Sequence, residues 1–257
     1  FNPDFGQVEA DPSVLNLTAF ETFYEEKRPF FSEGAEFFSQ RLSLFHSRRI
    51  GRAPGYYLPE EGDLKNPPEY TTILGAMKVM GNTESGINYG LIGALTAEES
   101  ATLITDSADS QTDVDIVIEP RTNYSIGRFE VPVINDISRV GIMVTDVSRS
   151  DNPGATVAGM DWNLGFLDNK LFSNGQIVRS NANDTTGNAI RFNLGYTDPI
   201  WWSARFWYGY YDDKFEVNDL GYLRRNDLNW IGGRVEFRRQ EPRGKFVNND
   251  LELKYKQ

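Results

Sequence analysis

From residue 71 onward, apolar and polar side chains alternate at every second position. The alternation is clearest in residues 140–145, 157–166, 190–197 and 231–238. Successive side chains of a β-strand point to opposite faces, so each segment is predicted to form a strand with one apolar face and one polar or small face. No segment of convincing length repeats with the period of a helix. The sequence therefore indicates an all-β fold.

Short turn sequences separate the predicted strands. Residues 81–84, 167–170 and 198–199 are rich in Gly, Asn, Asp and Pro, which favour turns. Together with other turns, they divide the chain into about eleven predicted strands. Many of these strands are about ten residues long, a length that suits tilted strands in a membrane. Strands joined by successive hairpins form an antiparallel up-and-down meander. In residues 122–133 the apolar phase slips, which predicts a bulge near Gly127.

The composition limits the class of protein. No run approaches the roughly 20 apolar residues that a membrane-spanning helix needs, so insertion into a membrane would have to be by closed strands. The formal net charge of −11 disfavours binding to nucleic acid. The chain has no cysteine and one histidine, His46, which excludes disulfides, a thiol nucleophile and a His-rich metal site. We expect no cofactor.

Three features favour a membrane barrel over a soluble sandwich. The polar face carries Gly, Asn, Arg and Glu along whole strands, as expected for a hydrated lumen. The connections differ in length, since residues 97–112 are a long acidic stretch whereas residues 167–170 are a short turn. Aromatic residues that prefer a membrane–water interface cluster near strand ends: Trp201, Trp202, Trp207, Tyr208, Tyr210 and Tyr211. We therefore predict an antiparallel up-and-down transmembrane β-barrel of the outer-membrane type, truncated at both ends.

Residues 1–70 differ from the rest of the chain. We expect them to pack on or in the barrel, which residues 71–257 form, and residues 42–50 are a candidate first strand. A dense group of charges between aromatic anchors is predicted to seat this segment by ion pairs: Glu21, Glu25, Glu26, Lys27 and Arg28. The carboxylates of this group also offer a glycosidase pair, although such pairs are too common in an acidic chain to be specific.

A second set of charged residues is predicted to line the lumen or to contact a ligand: Arg48, Arg49, Arg191, Arg205, Arg224, Arg225, Arg234 and Glu236. Arg48 and Arg49 form either an anion site or a charge cluster in the lumen or periplasm, and we favour the cluster. The aspartates of residues 212–227 offer either calcium ligands or a hydrogen-bonded turn. Their spacing matches no EF-hand, so we favour the turn. We predict no catalytic, cofactor-binding or metal-binding residue.

Five linear motifs are more specific than the strands, namely residues 1–12, 16–23, 26–31, 47–51 and 219–227. Together they resemble a family of Gram-negative proteins with a secretory signal, a family 9-like carbohydrate-binding domain, and a large C-terminal domain of unknown function interpreted as an outer-membrane barrel. The resemblance covers nearly the whole chain. It implies a location at the cell surface and a role in handling polysaccharide or other surface ligands, and it implies no settled activity. The sugar-binding domain would precede the first residue.

The favoured function is a non-enzymatic outer-membrane protein that acts as a porin-like pore, an anchor or a platform for a surface complex. Its partners would be the lipid bilayer and either polysaccharide or a surface protein complex. One alternative is a surface glycan hydrolase that uses carboxylates of residues 21–26 or 212–227 near the barrel mouth. The other is a soluble glycan-binding β-sandwich, which would not need detergent.

Overall fold

The structure of the chain, a computed structural model, describes residues 23–59, 63–107, 110–150, 153–198, 200–239 and 249–256. In this part of the chain the fold is all-β, with two antiparallel sheets and very little helix. The helices are α1 (Pro29–Ser32), α2 (Ala35–Phe38) and the 3₁₀ helix η1 (Ser47–Arg49). The strands are β1 (Asp63–Lys65), β2 (Ile73–Asn82), β3 (Asn88–Thr96), β4 (Glu99–Ser107), β5 (Ser110–Glu119), β6 (Thr122–Val133), β7 (Asn135–Arg149), β8 (Ala155–Phe166), β9 (Leu171–Ala182), β10 (Thr185–Thr197), β11 (Trp202–Tyr211), β12 (Leu228–Arg239) and β13 (Asn249–Lys256).

The large sheet is an antiparallel meander of ten strands in the order β2-β3-β6-β7-β8-β9-β10-β11-β12-β13. Strand β3 pairs with β6 because the hairpin β4–β5 leaves the meander and forms a small sheet with β1. Within the described residues, the edge strands β2 and β13 do not pair with each other, and neither sheet closes into a barrel. The predicted all-β antiparallel architecture is confirmed, whereas closure is not observed.

Residues 42–50 do not form the first strand that we predicted. They contain one isolated bridge, between Ser43 and Tyr222, followed by η1. The backbone N–H of His46 donates to the carbonyl oxygen of Leu220 at 2.7 Å. A loop, and not the edge of a sheet, therefore satisfies the backbone of this segment.

Residues 97–112 are not the loop that we predicted, because they contain β4 and the beginning of β5. The hairpin carries polar side chains at paired positions. The Thr102 hydroxyl, for example, donates to the Asp115 carboxylate at 2.8 Å in an exposed position. The apolar face of the hairpin, with Ala101 and Leu103 opposite Ile116 and Val114, includes only two positions within residues 97–112, which is too few to identify a strand by alternation.

Strand β6 pairs without interruption through Gly127, so the predicted bulge at that residue is wrong. The register of β6 with β7 shifts instead between Pro132 and Val133. Proline has no backbone N–H to donate to a neighbouring strand, which accounts for the irregularity at this end.

Both faces of the large sheet change character partway along the strands. On β6, the inner face, defined as the face that contacts residues 23–50, carries buried Ile126 and then buried Arg128. The opposite, outer face carries Ser125 and then Phe129, which is 52% exposed. The apparent phase slip is thus one regular strand in which the apolar side chains move from the inner face to the outer face.

One half of the large sheet, which we call the collar half, has an apolar inner face. Its outer residues are mostly polar: Asp146, Ser148, Thr156, Arg179, Asn181, Thr186 and Asn188. Its inner residues form a core with the N-terminal segment and the loop at 212–227, which includes Phe31, Leu44, Ile50, Met143, Val178 and Phe215. Complete burial of each large apolar side chain stabilises the fold by about 1.5–3 kcal/mol.

A two-residue turn joins β9 and β10 at the collar end of the sheet. Asn183 and Asp184 have φ angles of 50° and 58°. Positive φ at both positions is the geometry of a type I′ hairpin turn, which Asn and Asp adopt more readily than most residues. The local sequence therefore fixes the register of these two strands.

The other half, which we call the belt half, has a polar inner face and an exposed apolar outer face. Its outer apolar residues include Phe129, Val131, Ile142, Val144, Met160, Ile177, Leu194, Phe206, Ile231 and Phe237. They are continuous from strand to strand, because Ile142 lies opposite both Phe129 and Met160, and Met160 lies opposite Ile177. On β8 the apolar outer positions extend from 158 to 166, which is about 27 Å at ~3.4 Å per residue.

The border between the collar half and the belt half crosses the rows of paired residues at an angle. The last polar outer residue is Asp146 on β7, Arg179 on β9 and Asn229 on β12. The row of paired residues that contains Arg179 lies two residues closer to the belt half than the row that contains Asp146. The row that contains Asn229 lies a further two residues in the same direction. Strands that are tilted relative to a level border have this arrangement.

Candidate functional site

The inner face of the belt half carries a groove on strands β9 to β12, which we call the arginine groove. It consists of two adjoining cavities, of about 410 Å³ and about 480 Å³, which share Asn193 and Trp207. Its other lining residues include Arg41, Arg191, Arg205, Arg234, Phe172, Asn174, Tyr211 and Trp230. Cavities of this size are typical of small-molecule sites.

The strand alternation places the groove residues on one face of the sheet. Arg191 and Asn193 occupy alternate positions of β10, and Arg205 and Trp207 occupy alternate positions of β11. The register of these strands sets Asn193 opposite Trp207. Polar residues in the period-two pattern therefore become one continuous polar surface when the strands pair.

Arg205 and Arg234 are directly opposite each other on the neighbouring strands β11 and β12. Like charges in this position destabilise a sheet. Arg234 contacts the Glu236 carboxylate at 3.0 Å, and the Arg205 guanidinium lies 5.5 Å from the centre of the Phe172 ring. Among the described residues, Arg205 has no carboxylate within 4.0 Å. Counting only described side chains, the positive charge at this end of the groove therefore exceeds the negative charge.

A further arginine, Arg41, comes from the N-terminal segment and not from the sheet. Its neighbour Leu42 is held by Gln176, whose side-chain oxygen accepts from the Leu42 N–H at 2.8 Å and whose side-chain nitrogen donates to the Leu42 carbonyl at 3.2 Å. Gln176 is 1% exposed, so this clamp is protected from water. Burial lowers the pKa of Arg41, and the positive charge of Arg191 lowers it further.

The arginine groove has the chemistry of an anion-binding site. Guanidinium groups donate paired N–H bonds to carboxylates and phosphates. The side-chain amide of Asn193 donates to that of Asn174 at 2.9 Å, which adds neutral polar groups between the arginines. The described lining residues include no Ser, Cys, His, Asp or Glu, so this lining supplies no carboxylate pair.

The groove brings together several residues predicted to line the lumen or contact a ligand, namely Arg191, Arg205 and Arg234, with Glu236 beside them. The remaining predicted residues, Arg48, Arg49, Arg224 and Arg225, do not line the groove. Arg224 and Arg225 are exposed in the loop at 212–227.

Arg48 and Arg49 lie in η1, away from the groove. Arg49 donates to the carbonyl oxygen of Gly221 at 3.1 Å, and Arg48 donates to the carbonyl oxygen of Glu25 at 2.7 Å. These bonds hold neighbouring backbone segments together. Both arginines therefore have a structural role, because they connect η1 to the N-terminal segment and to the loop at 212–227.

Glu26 and Arg28 form a compact ion pair next to η1. Arg28 contacts the Glu26 carboxylate at 2.7 Å and donates to the carbonyl oxygens of Ser47 and Ile50, each at 2.8 Å. The Ser47 hydroxyl donates to Glu26 at 2.5 Å. Burial raises the pKa of Glu26, but the hydrogen bonds from Arg28 and Ser47 outweigh it and lower the pKa from 4.5 to about 2.

The other residues predicted to seat the N-terminal segment have different positions. Glu25 contributes its backbone carbonyl to Arg48, Lys27 is exposed, and Glu21 lies outside the described residues. The ion pair of Glu26 and Arg28 ties the N-terminal segment to itself and not to the sheet.

Other side chains connect the N-terminal segment to the sheet. The Lys78 ammonium donates to the Phe30 carbonyl oxygen at 2.5 Å. The Gln40 amide donates at 2.6 Å to the Asp161 carboxylate, which also accepts from Arg128 at 2.8 and 2.9 Å. Polar bonds to β2 and β8 thus supplement the apolar core.

The predicted interfacial aromatic residues divide between the two faces. Trp201 precedes β11 and is 56% exposed. The outer positions of β11 include Trp202, Tyr208 and Tyr210. Trp207 and Tyr211 occupy inner positions and line the groove, because side chains alternate along the strand. Their assignment to an outer aromatic girdle is therefore corrected.

Sequence reasoning missed two groups in the groove. Arg41 has no signal in the sequence, because only the tertiary clamp at Gln176 brings it to β10. Asn193 lies in the alternating segment 190–197 and Trp230 directly precedes the segment 231–238, but neither is among the predicted site residues. Their positions at the same parity as Arg234 and Arg191 would have identified them.

The aspartates of the loop at 212–227 take part in turns. The Lys214 N–H donates to Asp212 at 3.0 Å and lowers the pKa of Asp212, whereas a hydrogen bond with Asp212 raises the pKa of Asp213. The Asn226 amide donates to the carbonyl oxygen of Asp213 at 2.7 Å. In the part of the chain that the structure describes, no group of three or more His, Cys, Asp or Glu residues could hold a metal ion.

Across the described ranges, no helix has the length and apolarity needed to cross a membrane. The family described as "Domain of unknown function (DUF5916)" matches residues 1–257. No curated protein and no solved structure matches the chain. Because the family match extends over the full sequence, the chain belongs to the family of the domain of unknown function DUF5916.

Proposed function

We propose that this chain is a non-enzymatic protein of a Gram-negative outer membrane, inserted by the belt half of its large sheet. Its N-terminal segment covers the inner face, so it acts as an anchor or platform for a surface complex and not as an open pore. The arginine groove is the place where this platform meets a ligand.

The observation that carries the proposal is the continuous apolar surface on the outer face of the belt half. Ile142, Leu194 and Phe237 lie on separate strands and are 54%, 45% and 48% exposed. Proteins in water rarely expose a continuous apolar patch larger than a few hundred Å². Lipid would cover this surface, while the polar groups of the same strands face inward, as in strand-based membrane proteins.

The tilted border of the belt half also supports insertion. Strands of membrane barrels are tilted by roughly 35–45°, so a level membrane surface crosses their paired rows at an angle. Open sheet edges do not occur in the hydrocarbon region of a membrane. The proposal therefore requires that β2 and β13 be covered in the membrane, by each other or by further strands.

The N-terminal segment supports an anchor more than a pore. Phe31 and Leu44 are 2% and 0% exposed in the core on the inner face, and the Gln176 clamp fixes the backbone between this core and the groove. Asp161, which pairs with the buried Arg128, holds Gln40 on the same face. Opening a channel would require all of these contacts to break.

A vesicle experiment tests the proposal. The purified chain is reconstituted into lipid vesicles and its flotation is measured, together with conductance in planar bilayers. We expect flotation and silent bilayers. Leu194→Arg, in the belt half, should reduce flotation, whereas Asn188→Arg, on the same strand and the same outer face in the collar half, should not.

Three other results would contradict the proposal, and each would support a different function. A chain that is monodisperse without detergent and does not float would be a soluble sandwich. Steady ion-selective steps would indicate a pore. Release of sugar from surface glycans by the purified chain would indicate a hydrolase.

A further inference from the structure

We propose that the arginine groove binds an elongated anionic ligand with at least two carboxylate or phosphate groups, and that this ligand bridges the sheet and the N-terminal segment. The inference goes beyond insertion into a membrane and does not depend on it. Binding can be measured in detergent, whether or not the belt half contacts lipid.

The spacing of the arginines selects an elongated ligand. Arg191 lies opposite Gly209 of β11, and Arg205 lies on that strand four positions before Gly209. At ~3.3 Å per residue, the two arginines are about 13 Å apart along the strand direction. Arg41, Arg205 and Arg234 line one of the two adjoining cavities, and Arg191 lines the other. A ligand that contacts arginines of both cavities must therefore extend along the groove.

The middle of the groove is neutral and partly aromatic. It contains Trp207 and the hydrogen-bonded amides of Asn174 and Asn193. The Trp207 ring lies directly over Gly232, since a Cβ at that glycine would be 2.4 Å from the ring. A flat aromatic surface beside amide groups suits the uncharged part of a ligand that joins two acidic groups.

The charge of the groove also calls for an anion. Arg41, Arg191 and Arg205 have no carboxylate within 4.0 Å among the residues that the structure describes. Arg205 faces Arg234 across the strand pair, an arrangement that costs stability without a ligand. Carboxylate or phosphate oxygens would accept paired N–H bonds from these groups and remove the repulsion.

The position of Arg41 couples ligand binding to the N-terminal segment. Arg41 directly precedes Leu42, whose backbone is clamped by Gln176 of β9. A ligand that contacts Arg41 and Arg205 together would join the segment to β11. The bound ligand should therefore hold the segment in place against removal.

The test is calorimetric titration of the full chain in detergent with three probes, namely tripolyphosphate, a trimer of galacturonate and the neutral trimer maltotriose. We expect at least one anionic probe to bind at least about 10-fold more tightly than maltotriose, since hydrogen bonds to charged groups are strong. The tighter anionic probe identifies the acidic group that the groove prefers. Equal binding of maltotriose would overturn the proposal, as would no binding of either anion.

Matched variants locate the site. Arg205→Gln and Arg41→Gln should each weaken binding of the anionic probe about 10-fold, by loss of a charge-assisted hydrogen bond. Arg225→Gln removes the same charge from an exposed loop position and should leave binding unchanged. In the absence of ligand, the Arg205 and Arg41 variants should unfold at temperatures no lower than that of the parent chain, and their flotation should match it. Equal weakening in all three variants would overturn the proposal, because only net charge would then matter.

A second readout tests the coupling. The anionic probe should slow limited proteolysis within residues 23–50 of the parent chain, and Arg41→Gln should abolish that protection. Arg191→Gln, in the adjoining cavity, should weaken binding in a similar way. Binding without any protection of the segment would contradict the bridging role of Arg41.

Discussion

The collar half and the belt half of the large sheet are built from the same strands but bury opposite kinds of side chain. In the collar half, Met143 and Val178 are buried inward and Ser148 faces outward. In the belt half, Arg128 is buried inward and Ile142 is 54% exposed on the outer face. The first half is arranged like a domain in water, and the proposed insertion into lipid would account for the second.

If the belt half contacts lipid as proposed, the surrounding solvent, and not the strand conformation, decides which face is apolar. Alternation with a period of two is preserved along β6 while the apolar side chains change faces. The inner face of the belt half is thereby free to carry arginines, since the outer face supplies the apolar contacts. Substitutions in the collar half and in the belt half should therefore differ in their effects on stability.

The largest effect is expected in the collar core. Phe31→Ala should reduce the free energy of unfolding by about 3–5 kcal/mol, because the ring is 2% exposed and its loss leaves a cavity. Phe129→Ala, on the outer face of the belt half, should cost no more than about 1 kcal/mol in detergent. Urea unfolding followed by tryptophan fluorescence measures both. Equal losses would mean that the two rings have the same surroundings, which would contradict the difference between the collar half and the belt half.

A charge on the outer face should distinguish the halves in lipid. Ile142→Arg should destabilise the folded chain in vesicles by about 2–4 kcal/mol, the cost of an arginine at the middle of a bilayer. Ser148→Arg, on the same strand and the same face, should cost about 0–1 kcal/mol. Reversible unfolding in vesicles gives both values. If Ser148→Arg cost as much as Ile142→Arg, the collar half would not face water.

Acid should weaken the N-terminal segment through Glu26. Its pKa is lowered to about 2 in the folded chain, so its contribution is present above the unfolded pKa of about 4.5 and is lost as pH falls toward 2. We expect a loss of about 1–2 kcal/mol over this range, after allowance for solvent screening. Unfolding as a function of pH measures it. Glu26→Gln should remove this part of the pH dependence, and an unchanged profile would exclude Glu26 as its source.

The smallest effect is expected at the turn between β9 and β10. Asp184→Gly should raise the free energy of unfolding by about 0.5–1 kcal/mol, because Asn-Gly is the preferred pair for a type I′ turn. Flotation should not change, since the turn lies at the collar end. Thermal unfolding checks the gain, and a loss of stability would argue against the positive φ angle of 58° at Asp184.

The sequence predicted the strands better than it predicted their surroundings. Regular alternation in residues 190–197 was sufficient to predict β10 and the common face of Arg191 and Asn193. Alternation could not reveal which face is the inner one. For that reason Trp207 and Tyr211 were assigned outward, although they line the groove.

Features that depend on contacts between residues far apart in the chain cannot be predicted from the spacing of residues. Residues 42–50 are a candidate strand in the sequence, but their backbone bonds are made to a loop far along the chain. The same is true of Arg41, which reaches the groove only through the bonds between Leu42 and Gln176. Long-range pairing of this kind has no signature in the spacing of residues.

The measurement that tests the central claim most directly is the accessibility of single spin labels in vesicles. The chain has no cysteine, so one cysteine can be placed at each position without removing others. Labels at Ile142 and Leu194 should be accessible to oxygen dissolved in lipid and protected from a water-soluble nickel chelate. Labels at Ser148 and Asn188 should have the opposite preference. If all four labels were accessible to the nickel chelate, the belt half would face water, and the account would be wrong.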